Sequence, residues 1–304
     1  MIINTGNYYK ILVFLLVVLF IAAACGAASA GEKLSVTFIN VGQGDATLIE
    51  SPGGVTVLID GGNGLIREEG WDAGESFVVP YLKERGIKKI DYLVMTHADY
   101  DHAGGLMAVI KDFWIGSLWE PGNQHTGGWY QKILSTVKKR KIGYYNPEKG
   151  DVIDLKTPGM QCKVLFGKMS DKYKIKKYGE KPSLIIKLDY GKISFLFTAD
   201  AEYEQEMEMV RKYGDKLRAT IYKAGHHGSA SSSNWAFMDK VSPEVAVISC
   251  GKDNSYGHPH KEVLADLKKR KAAVYRTDRQ GNIRIDTDGE TYKVTTQWKA
   301  KKGR

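Results

Sequence analysis

Ten consecutive residues carry the strongest structural signal in this chain: Thr96-His97-Ala98-Asp99-Tyr100-Asp101-His102-Ala103-Gly104-Gly105. The apolar run 91–95 in front of them predicts a buried strand, and the apolar run 106–110 behind them predicts a helix. Four side chains that can bind a metal ion therefore follow one strand, namely His97, Asp99, Asp101 and His102. In a loop they can converge, whereas alternate residues of a strand point to opposite faces. Imidazole and carboxylate ligands together indicate a zinc, iron or manganese site, and the alternative is a solvated polar loop.

Other short motifs accompany this segment in a fixed order along the chain. They are Asn40-Val41-Gly42-Gln43-Gly44-Asp45, Leu58-Ile59-Asp60-Gly61-Gly62, Phe197-Thr198-Ala199-Asp200, Ala224-Gly225-His226-His227-Gly228-Ser229 and Tyr256-Gly257-His258-Pro259. The whole pattern resembles the HxHxDH signature of the metallo-β-lactamase superfamily, with Asp99 where the second histidine usually stands. This HxDxDH form, followed by two glycines, resembles the ComEC-type hydrolase domains of bacterial competence proteins and their stand-alone relatives. The resemblance covers nearly all of the chain after residue 33.

The resemblance implies an α/β fold, a four-layered αββα sandwich with two facing β-sheets, outer helices and a metal centre at one rim. Hydrophobic periodicity agrees with strands that alternate with helices. The predicted strands are 34–40, 46–50, 55–59, 91–95, 161–166, 183–188, 193–198, 220–223 and 244–249, and the predicted helices are 75–85, 106–110, 129–140, 202–213 and 260–270.

The resemblance also implies the metal ligands. A second metal site would consist of Asp101, His102, Asp200 and His227, with Asp200 as the carboxylate that bridges two metals; the alternative for Asp200 is a helix N-cap. A first site would contain His97 and Asp99, but residues 160–200, where a third histidine usually lies, contain none. The first site is therefore more oxygen-rich, which favours manganese or a loosely held zinc. One or two divalent metals, Zn or Mn, are the predicted cofactors.

Several residues around the ligands have predicted supporting or catalytic roles. Asp60 and Asp45 would orient the ligand loops, and Ser229 is a weaker candidate for the same role. Two adjacent histidines cannot easily share one coordination sphere, so we expect His227 to bind metal and His226 to face substrate or a supporting partner; the reverse assignment stays open. His258 would bind a phosphate oxygen or protonate a leaving group. Asp101 would orient a metal-bound hydroxide.

The charge of the chain favours an acidic partner. The 304 residues carry a formal charge of +9, and 43% of them are hydrophobic, which is typical of a globular protein. Two basic segments contain tyrosines: the first combines Lys138, Lys139, Arg140 and Lys141 with Tyr144 and Tyr145, and the second, residues 172–178, contains Lys174, Lys176 and Lys177. This combination suits nucleic-acid binding, and the alternative is a solvated charged face.

The first 30 residues are typical of an export signal. Lys10 precedes the apolar run 11–21, and small residues follow to Ala30. Ala28-Ser29-Ala30 fits cleavage before Gly31; residues 22–26 resemble a lipobox in which Cys25 would carry a lipid, and an uncleaved anchor is a third option. We therefore predict an exported protein, extracellular or periplasmic, whose membrane association would come only from a lipid anchor or an uncleaved signal.

The remaining chain is predicted to be one hydrolase domain, residues 31–298, followed by a basic disordered tail, residues 299–304. Cys162 and Cys250 each lie in an apolar, strand-like run and are predicted to be buried thiols, although an exported location permits a disulfide.

The predicted function is metal-dependent hydrolysis of a phosphodiester, with DNA as the favoured substrate. Alternatives are a cell-surface phosphodiesterase of phosphocholine type and a DNA-binding module without catalysis. A β-lactamase is disfavoured because the first site is not all-histidine.

Overall fold

The computed structural model describes residues 33–64, 72–122, 125, 127–167 and 182–299. The predicted export signal, the basic segment with Lys174, Lys176 and Lys177, and tail residues 300–304 lie outside the described residues. The described residues form one compact unit. Within the described ranges, no helix has the length and apolar character that crossing a membrane requires.

The first β-sheet contains both the earliest and the latest strands of the described chain. Its strands are β1 (Leu34–Phe38), β2 (Thr47–Glu50), β3 (Thr56–Ile59), β4 (Lys89–Val94), β5 (Trp114–Trp119), β6 (Gly143–Tyr145), β14 (Ile283–Thr287) and β15 (Tyr292–Thr296), in the spatial order β15-β14-β1-β2-β3-β4-β5-β6. Strands β3 to β6 are parallel. Strand β1 lies between β2 and β14 and is antiparallel to both, with Leu34 opposite Thr287.

The second sheet is built from the middle of the chain. Its strands are β7 (Val152–Ile153), β8 (Met160–Phe166), β9 (Ile185–Tyr190), β10 (Ile193–Phe197), β11 (Ile221–Lys223), β12 (Val245–Ile248) and β13 (Ala273–Arg276), in the order β13-β12-β11-β10-β9-β8-β7. Strands β10 to β13 are parallel, so their carboxyl ends share one edge.

Helices cover the outer face of each sheet. They are α1 (Val79–Glu84, preceded by the π-helical turn Gly74–Val78), α2 (Tyr100–Ala103), α3 (Leu106–Asp112), α4 (Gly128–Lys139), α5 (Tyr203–Tyr213), α6 (Trp235–Val241), α7 (Lys261–Lys269) and α8 (Thr277–Gln280).

Three apolar cores account for the layers. The first lies between the sheets and joins Phe38 and Val57 to Phe195; the second packs the first sheet against helices, and the third does so for the second sheet. In β3, Val57 belongs to the inter-sheet core whereas the next residue, Leu58, belongs to the helix-facing core. Alternate residues of a strand point to opposite faces, so a strand covered on both sides is apolar throughout. The predicted four-layered αββα sandwich is confirmed.

The predicted strands and helices are all present, with shifts of a few residues at their ends. One local prediction needs correction, because Asp101 and His102 lie in the short helix α2 rather than in an irregular loop. Cys162 and Cys250 are free, buried thiols in two different cores.

Candidate metal centre

The predicted ligands meet where the carboxyl ends of the parallel strands from both sheets come together. Asp60 follows β3, and the segment with His97 to His102 follows β4. From the second sheet, Asp200 comes after β10 and the adjacent histidines after β11. Carboxyl ends of parallel strands lie at one edge of a sheet, which is where α/β proteins bind ligands.

Backbone hydrogen bonds connect three loops: the loop with Asp45, the loop with Asp60 and the segment that contains Asp101 and His102. Asp45 donates its N–H to the Asp101 carbonyl at 3.1 Å, and its own carbonyl accepts from the Gly62 N–H at 2.8 Å. The Gly61 N–H donates to the His102 carbonyl at 2.7 Å. Gly44 makes this approach possible, since a Cβ there would lie 2.3 Å from the Asp101 carbonyl oxygen.

The carboxylate of Asp200 stands between two groups of histidines. Its Oδ1 lies 3.1 Å from His102 Nε2 and 3.7 Å from His227 Nε2. Its Oδ2 lies 3.8 Å from His97 Nε2 and 3.6 Å from His226 Nε2.

The other two carboxylates of the motif, Asp99 and Asp101, lie beside different histidines. Asp99 Oδ2 lies 3.6 Å from His97 Nε2. Asp101 Oδ2 lies 3.0 Å from His227 Nε2 and 4.0 Å from His102 Nε2.

Four buried polar atoms in and beside this cluster lack the hydrogen bonds that buried atoms normally have. Within the described ranges, Asp45 Oδ1, His97 Nε2, His102 Nε2 and Asp200 Oδ1 make no hydrogen bond, although the last two are only 3.1 Å apart. Buried polar groups without a partner are costly, so such atoms need an explanation. Nitrogen and oxygen atoms converging in this way fit divalent cations. A group of four side chains, Asp45, His102, Asp200 and His227, also has the spacing of a metal site.

Asp60 contacts the ring of His102 and both polar groups of Thr96. Its Oδ2 lies 2.8 Å from His102 Nδ1 and accepts from the Thr96 hydroxyl at 2.7 Å, and its Oδ1 accepts from the Thr96 N–H at 2.8 Å. An ionised carboxylate only accepts, so a neutral His102, the form that binds metal, carries its proton on Nδ1 and turns the Nε2 lone pair toward Asp200. Thr96 Oγ1 lies 3.1 Å from His97 Nδ1 and favours the same tautomer there.

Asp45 lies behind the histidine rings rather than among the atoms that face the cluster. Its Oδ1 is 3.4 Å from His227 Nδ1, which also lies 3.0 Å from the Ser249 carbonyl oxygen. Its Oδ2 forms a buried ion pair with Lys223 Nζ at 2.9 Å. We therefore place Asp45 as a support for His227, although its spacing alone would also suit a ligand.

His258 is held at the mouth of the cluster by its own loop and by Gln43. Asn254 Nδ2 donates to the His258 carbonyl at 2.7 Å, and Asn254 Oδ1 accepts from the His258 N–H at 3.0 Å. Gln43 Oε1 accepts from the Gly251 N–H at 2.9 Å, and Gln43 Nε2 lies 3.5 Å from His258 Nδ1. Ser229 bonds within the neighbouring loop, 3.0 Å from Ser231 Oγ.

The electrostatics favour charged histidines in the metal-free cluster. Burial alone would lower the pKa of His227, but the Asp200 and Asp45 carboxylates outweigh burial and raise it to about 9. Burial opposes the charged form of His102 as well, yet Asp200 and Asp101 raise its pKa well above the ordinary value. Burial would raise the pKa of Asp200, and His102 and His227 instead hold it well below the usual range.

Metal binding at neutral pH should therefore release protons. A metal takes neutral imidazole, whereas His227 with a pKa of about 9 is protonated at pH 7, so affinity rises as pH approaches 9. The same shift from 6.5 stabilises the metal-free fold below pH 6.5, and that stabilisation disappears as pH rises through 9. Calorimetric titration with Zn²⁺ at pH 7, in two buffers of different ionisation enthalpy, counts the protons. Equal heats in both buffers would contradict this expectation.

One group of predicted nucleic-acid-binding residues lies away from the metal centre. Helix α4 runs from the carboxyl end of β5 to the start of β6, so Lys138, Lys139, Arg140 and Lys141 lie at the opposite edge of the sheet. Arg140 donates to the Phe113 carbonyl at 3.2 Å, directly before β5 begins. A six-residue strand such as β4 spans about 20 Å. These four residues therefore lie about one strand length from the metal centre, and their role in nucleic-acid binding stays a prediction.

Some residues of the site escape prediction from the sequence. Lys223 lies in a segment interpreted only as a strand, and Thr96 opens the motif without an assigned role. Glu202 is interpreted only as the start of a helix, although Glu202 Oε1 lies 3.2 Å from His226 Nδ1. Gln43 belongs to a motif placed beside the site, but its contact with His258 spans 215 residues of sequence.

The chain has the metallo-β-lactamase fold, with a candidate metal centre where the edges of its two sheets meet. A family model described as Metallo-beta-lactamase superfamily matches residues 39–165. The solved structure of CmlA, a diiron β-hydroxylase from Streptomyces venezuelae, superposes with a TM-score of 0.54 at 13% identity and covers 84% of this chain and 54% of CmlA. At that identity the similarity shows the fold alone.

The curated relatives of this chain include proteins named for competence and for recombination. ComE operon protein 3 of Bacillus subtilis (strain 168) is 31% identical over 265 residues, which cover 84% of this chain and 33% of the relative. Recombination protein 2 of Haemophilus influenzae is 30% identical over 256 residues, or 83% of this chain and 28% of the relative. Competence protein ComA of Neisseria gonorrhoeae is 28% identical over 254 residues, which cover 84% of this chain and 32% of the relative. The chain thus spans about a third of the length of these relatives.

Proposed function

We propose that this chain is an exported, metal-dependent phosphodiesterase that acts on DNA. The observation that carries the proposal is the Asp200 carboxylate, whose two oxygens each face a separate pair of histidines. This is the arrangement of a carboxylate shared by two cations, and paired cations are typical of enzymes that cleave phosphate esters. The formal charge of +9 and the relatives named for competence and recombination favour DNA as the substrate.

The chemistry divides between the cations and the chain. Two divalent cations, zinc or manganese, would supply Lewis acidity and lower the pKa of a water molecule toward neutrality. The chain would hold them with His97, Asp99, Asp101, His102, Asp200 and His227. The side chain of Asp101 is 29% exposed, so its carboxylate would be open to a water molecule and would orient it by accepting a hydrogen bond.

His258 would bind a phosphate oxygen as a neutral donor. The Gly251 N–H fixes the Gln43 amide, so the Gln43 NH₂ group faces His258 Nδ1 and leaves the imidazole proton on Nε2. Burial, and then the neighbouring His227 and His226, lower the pKa of His258 to about 4. His258 is therefore neutral at pH 7, which favours hydrogen bonding to a phosphate over protonation of a leaving group.

An exposed aromatic ring and several cations beside His258 favour a polynucleotide over a small diester. Tyr256 is 66% exposed and stacks on the His258 ring, with centroids 5.6 Å apart and an interplanar angle of 22°. A cavity of about 390 Å³ opens beside His258, and its charged lining residues are Lys252, Asp253, Arg276, Asp278 and Arg279. Stacking on an aromatic ring is tolerant of base identity.

A substrate panel tests the proposal on protein of known metal content. Zinc-loaded and manganese-loaded samples are assayed with single-stranded DNA, double-stranded DNA, bis-p-nitrophenyl phosphate and p-nitrophenyl phosphorylcholine. The proposal expects hydrolysis of DNA and of the simple diester. Hydrolysis of the choline ester without DNA would establish the phosphocholine-type alternative, and DNA binding without any hydrolysis would establish a non-catalytic module.

Tyr256→Ala should raise the KM for DNA by about tenfold, because base stacking contributes about 1–3 kcal/mol per base. The KM for bis-p-nitrophenyl phosphate should hardly change, since that molecule needs no stacking surface. Trp114→Ala is the matched control, because Trp114 is 60% exposed but begins β5 at the opposite edge of the sheet. Neutralising Lys138, Lys139, Arg140 and Lys141 together should raise the KM for DNA, and not that for the simple diester, only if the bound strand reaches the far edge of the sheet where these residues lie. Equal losses on both substrates for Tyr256→Ala would contradict a stacking role.

Export is tested on protein purified from its native host. We expect mass spectrometry to show a mature chain that begins at Gly31, or a chain that begins at a lipid-modified Cys25. A soluble cytoplasmic protein that retains Met1 would rule out export.

A further inference from the structure

The adjacent residues His226 and His227 point their rings toward opposite sides of Asp200. His227 Nε2 lies 3.7 Å from Asp200 Oδ1, whereas His226 Nε2 lies 3.6 Å from Asp200 Oδ2. The two ring centroids are 6.0 Å apart, and the ring planes cross at 69°. Each histidine therefore faces a different oxygen of the shared carboxylate.

An unusual backbone separates the two rings. His226 has φ 46° and ψ 49°, and His227 has φ 54° and ψ 22°, so two consecutive non-glycine residues are left-handed. This conformation is strained for a residue with a side chain and persists only where the surroundings enforce it. The His226 N–H donates to the Ala199 carbonyl at 2.9 Å, and the His226 carbonyl accepts from the Ser229 N–H at 2.8 Å. The loop is thus tied to the chain just before Asp200.

The other ring nitrogen of His226 is held in the manner typical of a metal ligand. His226 Nδ1 lies 3.2 Å from Glu202 Oε1 and 3.2 Å from Ser231 Oγ. The Ser231 hydroxyl donates to the same Glu202 oxygen at 2.8 Å. Because an ionised carboxylate only accepts, the proton of a neutral His226 stays on Nδ1 and the Nε2 lone pair faces Asp200. Carboxylates commonly fix metal-binding histidines in this way.

We propose that His226 is a ligand of the first metal and takes the place of the histidine that residues 160–200 do not supply. His97, Asp99, Asp200 and His226 then form the first site, and Asp101, His102, Asp200 and His227 form the second. Each cation receives two imidazoles, one carboxylate of its own and one oxygen of Asp200. The inference rests on the proposed metal centre and not on the identity of the substrate.

This ligand set replaces the predicted substrate-facing role of His226 and fixes the charge of the loaded site. Two divalent cations bring +4, and the three carboxylates Asp99, Asp101 and Asp200 bring −3, so the centre keeps a net +1. A residual positive charge in a partly buried site attracts an anionic substrate.

Metal stoichiometry tests the assignment without relying on activity. The full chain is titrated with Mn²⁺, and bound ions are counted by elemental analysis and followed by electron paramagnetic resonance. We expect the unaltered protein to bind two ions that give a spin-coupled signal. His226→Ala should keep one ion and show the six-line spectrum of isolated Mn²⁺, and His226→Gln should give the same result. Glu202→Ala should weaken the first ion by about 10–100-fold.

Matched variants identify the site that is affected. His227→Ala should lose the other ion, and His258→Ala should keep both, because His258 Nδ1 faces the Gln43 amide and its Nε2 is assigned to the phosphate. Circular dichroism confirms that each variant is folded. Two coupled ions retained by His226→Ala with unchanged affinity would overturn the proposal, as would a single ion in the unaltered protein. Loss of hydrolysis with both ions retained would instead make His226 a substrate-binding residue and leave the proposed function standing. Loss of one ion in a protein that cleaves no phosphodiester would support the ligand assignment and reject the function.

Discussion

We expect His102→Ala to abolish phosphodiester hydrolysis while leaving the two-sheet fold intact. His102 Nε2 is 3.1 Å from Asp200 Oδ1, so its loss removes one of the two imidazoles of the second site. Metal ions supply several kcal/mol of transition-state stabilisation, and a rate loss of roughly 10³-fold or more follows. Elemental analysis and an assay with bis-p-nitrophenyl phosphate measure the two effects. His125→Ala is the control, since His125 Nδ1 accepts from the Gly127 N–H rather than facing Asp200. Surviving activity with unchanged metal content would show that the centre is wrongly assigned.

A substitution at Asp60 tests the orientation of the His102 ring while His102 itself is still present as a ligand. Asp60→Asn would place an amide NH₂ group beside His102 Nδ1, which would move the imidazole proton to Nε2 and block the lone pair that faces the metal. We expect metal affinity to fall by about 10–100-fold with His102 still present.

The second large effect concerns stability. Lys223→Met should destabilise the protein by about 3–5 kcal/mol, because it leaves the Asp45 carboxylate buried without the cation 2.9 Å away. Urea unfolding followed by circular dichroism measures the change.

The double variant Lys223→Met, Asp45→Asn is the matched control. Replacing both partners removes the uncompensated charge, so most of the lost stability should return. A single variant that is as stable as the unaltered protein would mean that the ion pair contributes nothing. A double variant less stable than the single one would mean that Asp45 acts mainly through His227 and His102.

Motif residues could be placed from the sequence because each follows an apolar strand. Asp60, His97 and Asp200 come just after β3, β4 and β10, and parallel strands deliver their carboxyl ends to one edge. The direction in which the His226 ring points could not be predicted from the sequence, because it depends on a left-handed backbone conformation that no local residue pattern predicts. The buried contact of Lys223 with Asp45 joins positions 178 residues apart.

Two other differences between the sequence-based expectations and the structure have identifiable causes. Composition alone does not locate the basic residues 138–141 relative to the site, whereas the direction of α4 across the sheet places them at its far edge. The predicted strands do not include the hairpin of β14 and β15, although Ile283 and Ile285 alternate with polar residues and Asp288-Gly289 follows as a turn. That alternation was a usable signal.

Strand β1 acquires its second neighbour only when β14 arrives, about 250 residues later. A nascent chain still on the ribosome therefore keeps one side of β1 as an open edge, with Val36 and its neighbours unpaired on the side that later meets Ile285. Closure between such distant segments is slow compared with local helix formation. The first sheet, and with it the loop that carries Asp45 between β1 and β2, reaches its final form only after nearly the whole described chain has been synthesised.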